Sequence, residues 1–143
     1  MGKKKHVAAI ALFLTLCLTN TAFAGEGKAD AEANPLKEEM RLLNKAFKNL
    51  MDSLVLHNPA SIEAPVREVL EAKEKTEAAL EEGKIMLPRN NDKMELFKEL
   101  DTEFHMKLEK LVELSKKGDM PAIQEMAHEL LDGCVGCHND FRH

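Results

Sequence analysis

The chain has 143 residues, 44% of them hydrophobic and 31% charged, with 20 Lys and Arg against 25 Asp and Glu. The net charge of −5 argues against a nucleic-acid partner, because phosphates attract the opposite sign. The length allows one domain and little besides.

The first 24 residues read as an export signal peptide. Lys3, Lys4 and Lys5 form a positive n-region, Val7 to Leu18 an apolar core, and Ala22-Phe23-Ala24 a small-x-small cleavage site. The apolar run is too short to span a bilayer comfortably, so no transmembrane segment is expected once it is removed. Cys17 lies in this stretch behind Leu16, which is larger than a lipoprotein cleavage site accepts, and is expected to be discarded. Cleavage would leave a periplasmic chain of residues 25–143. The only charges lost are three lysines, so 17 basic residues would face 25 acidic ones, a net of −8. Two cysteines would remain, Cys134 and Cys137.

Residues 25–33 are small, charged and aperiodic, a flexible lead to a domain over residues 34–143. Asn34-Pro35 is a helix start, with Asn as the cap and Pro at the first helical position. Leu36, Met40, Leu43, Phe47, Leu50 and Leu54 follow at steps of 4 and 3, an apolar stripe of nearly three heptads. His57-Asn58-Pro59 should end this helix. A second begins between Ser61 and Pro65, carries Val66, Val69, Leu70 and Leu80, and ends at Gly83. After a connector containing Pro88, Asn91 or Asp92 is expected to cap a third helix with Phe97, Leu100, Phe104, Leu108 and Leu111, ending at Gly118. Asp119-Met120-Pro121 opens a fourth, striped by Ile123, Ala127, Leu130, Cys134, Cys137 and Phe141. Four amphipathic helices on short connections, without strand-like runs, predict an all-α fold: an antiparallel up-down-up-down four-helix bundle.

Near the end of the last helix stands Cys134-Val135-Gly136-Cys137-His138, the attachment pattern of a c-type haem. Two thiols at this spacing can reach the two vinyl groups of one porphyrin, and the next imidazole can bind iron from the proximal face. Gly136 would leave room for a flat ring against the backbone. A thioredoxin-like pair would follow a strand, and nothing strand-like precedes Cys134. A zinc site would want further Cys or His ligands at metal spacing, and a disulfide would close only a trivial loop. One covalent haem c with its iron is therefore the expected cofactor. With two cysteines and Ala127 on the seam, the last helix should enclose a void without the ring, so folding should depend on the haem.

These features resemble the class II c-type cytochromes, the cytochrome c-prime family. The tail from Cys134 to Arg142 is similar to the family's C-x-x-C-H-x-x-[FY]-R ending. The family's low-spin members, of the cytochrome c-556 kind, supply a distal methionine followed by a basic residue early in the first helix, and Met40-Arg41 is similar to that pair. Axial geometry agrees independently. His138 lies five residues, about 7–8 Å, from the chain end, and Met40 six residues, about 9 Å, past Asn34. On antiparallel neighbours the two stand at one level, with Met51 about 16 Å further along. The plainer alternative is that a methionine on such a stripe only fills the core.

Arg41 and Arg142 are candidates for the haem propionates, since guanidinium pairs with carboxylate in a two-pronged fashion; Arg142 gains from the resemblance of the ending. His57, His105, His128 and His143 are weaker as ligands, with His105 expected at the surface. No catalytic constellation stands out. The resemblance implies a periplasmic single-electron carrier rather than an enzyme, serving redox partner proteins, with a homodimer left open. The alternative is a high-spin protein that binds NO or CO at an open distal site. A haem-free metal module using Cys134, Cys137 and His138 is a third reading.

Overall fold

The computed structural model describes residues 34–142. The expected signal peptide over 1–24 with Cys17, the expected lead over 25–33, and His143 lie outside the described residues. Four helices account for most of the rest: α1 (Pro35–Val55), α2 (Glu63–Glu81), α3 (Met94–Lys117) and α4 (Met120–Phe141). Short 3₁₀ turns precede α2 (Pro59–Ser61) and α3 (Asn91–Lys93). The helices alternate in direction. The broadest packing is α1 on α2 and α3 on α4, and α2–α3 and α1–α4 contacts close the ring.

The boundaries follow from local chemistry. The Asn34 side chain accepts from the Lys37 N–H at 3.2 Å, and Asp119 does the same for Ala122 at 3.2 Å, each satisfying an otherwise orphaned donor. Helix α2 ends where Gly83, at φ +67°, turns the chain so that Lys84 N–H reaches the Ala79 carbonyl at 2.9 Å. Helix α1 ends on the same pattern, but its left-handed residue is His57, at φ +54°. The bond from Asn58 N–H to the Ser53 carbonyl, 2.8 Å, holds that turn closed. Ser53 and Asn49 reinforce it, with Asn49 Nδ2 donating to the Ser61 carbonyl at 2.8 Å.

The cap expected for α3 is different. Neither Asn91 nor Asp92 caps it, and no side chain does. Asn91 Oδ1 instead accepts from the Leu87 N–H at 3.0 Å inside the connector. Asn90, left-handed at φ +49°, donates from Nδ2 to the Asp140 carbonyl at 2.6 Å, and Arg89 N–H reaches the Phe141 carbonyl at 3.1 Å. The connector thereby takes up carbonyls at the end of α4 that no helical turn can satisfy.

Apolar packing forms two clusters. The larger holds Ile62, Val66, Val69, Val112, Ile123 and Leu130 around the middle and one end of the bundle. The smaller joins Ile85 and Leu87 of the connector to Leu80, Phe97 and Phe141. Ala127 sits in the first cluster, 2% exposed, so its small size is matched by its neighbours and leaves no void there.

Candidate functional site

Helix α4 presents Cys134 and Cys137 on one side, both half-buried, while Val135 and Gly136 between them are exposed. That is what a spacing of three on a helix requires. The thiols open on a cavity of about 390 Å³ between α1, α3 and α4. His138 lines it from α4, Met40 and Phe47 from α1, and Phe104 from α3. Phe97 is also in the lining, and its ring meets the buried Phe141 edge-on at 5.4 Å.

The residues fit a haem. The walls are largely apolar, both thiols and the imidazole come from adjacent turns, and the methionine enters from an opposing helix. Burial raises the pKa of the Cys134 thiol. Burial, then the nearby Asp101, Cys134 and Asp140, pushes Cys137 up to about 11. Thiols held protonated are poor redox nucleophiles, which disfavours a redox-active dithiol at this position.

Residues 72–142 match the sequence model of the family described as cytochrome C'. The chain is a class II c-type cytochrome. The match runs from the second half of α2 to the C-cap of α4, so it includes the two cysteines and His138 and leaves out α1. No curated protein and no solved structure matches the chain. The family carries haem c, and no described helix of this cytochrome is long and apolar enough to cross a membrane.

The two arginines differ. Arg142 lines the cavity, and its N–H bonds the His138 carbonyl at 3.0 Å. Arg41 is exposed and paired with Glu38 one turn back, Nε to Oε2 at 2.7 Å and Nη2 to Oε1 at 2.5 Å. That pairing holds the Glu38 carboxyl below its usual value. Arg41 is not among the residues lining the cavity. Nor is Met51, which is 37% exposed.

His105 corrects the sequence reading. It is not at the surface but 1% exposed, with Nε2 2.9 Å from Glu39 Oε1 and Nδ1 2.8 Å from its own-helix Asp101 carbonyl. Burial opposes the imidazolium, but Glu39 and Asp101 outweigh it and raise the His105 pKa. Burial pushes Asp101 up to about 6, with His105 pulling down and Glu39 pushing up. Asp101 also lines the cavity. This polar group was missed because Glu39 and His105 lie off the apolar stripes. Asp101 and His105 one turn apart on a helix were the available signal.

Gly133 was missed as well. A Cβ there would stand 3.1 Å from the Phe104 ring, so its absence lets α4 approach α3 beside the thiols. A Cβ on Gly136 would meet nothing within 4 Å. Within the polypeptide, Gly133 is the glycine that packing demands.

Proposed function

We propose that the protein is a periplasmic mono-haem cytochrome of the low-spin type, carrying single electrons between redox proteins and catalysing no reaction of its own. One observation carries this reading. Among the described residues, the lining of the cavity that holds Cys134 and Cys137 contains one histidine, His138, and one methionine, Met40.

Haem c held there would supply a one-electron iron couple. Cys134 and Cys137 would tether it as thioethers, and His138 would be the proximal ligand. Met40 would be the distal ligand, its unbranched thioether adapting to the space it is given. Leu43, Phe47 and Leu108, also in the lining, would help keep water out of the site. Arg142, at the cavity beside His138, is the fitting partner for a propionate. Arg41 would have to exchange Glu38 for it. The signal-like pattern of residues 1–24 supports export to the periplasm, and the acidic surface suits partners with basic docking faces.

The test is the absorption spectrum of wild type beside Met40→Ala and Met51→Ala, with and without carbon monoxide. The oxidised wild type should show the weak far-red thioether-to-iron band, and the reduced protein should resist the gas. Met40→Ala should lose the band, lower the reduction potential and admit carbon monoxide. Met51→Ala should change none of these and cost about 1 kcal/mol or less, as partly exposed positions do. A wild type that binds the gas as readily as an open haem would replace the electron carrier with the gas-binding reading.

A further inference from the structure

Between α1 and α3, the haem reading leaves a second polar site unused. Glu39 is 0% and His105 1% exposed, and by strict geometry neither Glu39 oxygen nor His105 Nε2 has a hydrogen-bond partner among the described residues. Their 2.9 Å separation is the close polar approach that the Glu39 carboxyl makes. A buried carboxylate held by so little is expensive, and a further ligand on its oxygens would complete the site. We propose that Glu39, Asp101 and His105 bind one divalent cation of the zinc class.

The geometry supports a metal over a bare proton. One ligand-capable atom from each of the three residues lies within 4.8 Å of the others. Asp101 and His105 stand four apart on one face of α3, so two donors are positioned by a single helix, and Glu39 comes across from α1. In the neutral ring that a metal requires, the Nδ1 contact with the Asp101 carbonyl, 2.8 Å, takes the ring N–H and leaves the Nε2 lone pair on the side of Glu39. A backbone carbonyl held by the other ring nitrogen is the usual support of a metal-binding histidine.

Charge points the same way. Two carboxylates bring two negative charges to the site, and an imidazolium offsets one of them. Lys73, the cation of α2 that acts on Asp101, is engaged with Glu77 at 3.0 Å. A divalent cation neutralises both carboxylates and gives the Glu39 oxygens a partner. One imidazole with two carboxylates is a nitrogen–oxygen set that suits zinc better than calcium or magnesium. The site does not depend on which residue is the distal ligand of iron.

The experiment uses purified holoprotein equilibrated with zinc ions and freed of loose metal by gel filtration. Metal analysis should find one zinc per chain beside the haem iron. Glu39→Gln and His105→Asn should each weaken zinc binding at least about 100-fold, on the scale of losing a ligand rather than its support. His57→Asn with His128→Asn, which removes exposed imidazoles, should leave it unchanged. Zinc X-ray absorption of the wild type gives a second readout that needs no variant. One imidazole among oxygen donors is expected, whereas sulfur scattering near 2.3 Å would place the metal on cysteine and overturn the proposal. A wild type that retains no zinc overturns it too, leaving the site to a proton. So would variants that fold, judged by helical circular dichroism, and bind zinc as the wild type does.

Discussion

At one end of the bundle, Ile62, Val69, Ile123 and Ala127 close on one another with no more than 2% of any of them exposed. At the other end Met40 of α1, Phe104 of α3, and Cys134 and Cys137 of α4 face a cavity of about 390 Å³. The helical spacing does not change between the two ends. What changes is that one end fills its seam with side chains, and the other leaves a space bordered by thiols, an imidazole and a thioether. A closed void of that size would cost about 9 kcal/mol at about 24 cal/mol per Å³, comparable with the whole stability of a domain, about 5–15 kcal/mol. The polypeptide cannot close the open end by itself. It can close the other.

The harshest test of this contrast removes the group meant to fill the space. Cys134→Ala with Cys137→Ala should leave no haem on the chain in a denaturing gel, and wild type should retain one. The haem-free variant should lose the cooperative unfolding of the open end while the packed end stays helical. A single sharp transition at the wild-type midpoint would show that the two ends do not differ in this way.

Within the packed end, Ile123→Ala should cost about 2–5 kcal/mol by creating a cavity where none exists, measured by urea denaturation, with the haem spectrum unchanged. Loss of haem in that variant would couple the ends more tightly than the packing suggests.

The open end should also carry the pH dependence. The folded pKa of Asp101, about 6, lies above its ordinary 3.8, so the native state holds a proton that the unfolded chain releases. Stability therefore falls as pH rises from about 4 to about 6. Asp101→Asn, compared with wild type in urea at pH 4 and pH 7, should gain up to about 3 kcal/mol at the higher pH, two units of pKa at 1.36 kcal/mol each. The contribution of His105 runs in a separate window. With its pKa raised above 6.5, it is fully present below 6.5 and lost as pH climbs through the higher folded value. Equal responses in wild type and variant would mean that Asp101 is solvated and the polar site is not buried.

The smallest effect belongs to the connector. Asn90→Gly, which tolerates the left-handed backbone, should lose about 1 kcal/mol with the bond to the Asp140 carbonyl. Asn90→Ala should lose somewhat more, from the added strain at φ +49°. A haem environment shifted by Asn90→Gly would make the connector part of the site and not merely its cover.

Much of this was legible along the chain. Asn34, Gly83, Gly118 and Asp119 mark helix ends because capping is a contact between near neighbours. The Cys134-to-His138 motif is equally local, since one helical turn carries every atom it needs. Glu39 and His105 were not legible. Helix α1 buries Glu39, Ala46, Leu50 and Ser53, a face rotated by about one residue from the apolar stripe through Met40, Leu43 and Phe47. Met40, Leu43, Phe47 and Leu50 of the stripe line the cavity with Ala46 beside them, whereas Glu39 and Ser53 are buried without lining it. Asn91 was assigned to a cap for the same reason: its competing partner, the Leu87 N–H, lies back along a connector without periodicity.

The sequence by itself determined the helices, their alternation and the chemistry of the last turn, because each depends on spacing within a single segment. The tertiary structure decided that Gly133 is where two helices touch, and that Glu39, Asp101 and His105 meet. Spacing along a helix sets which residues share a face. It does not set the rotation of that face about its axis, and only the packing of all four helices supplies that angle.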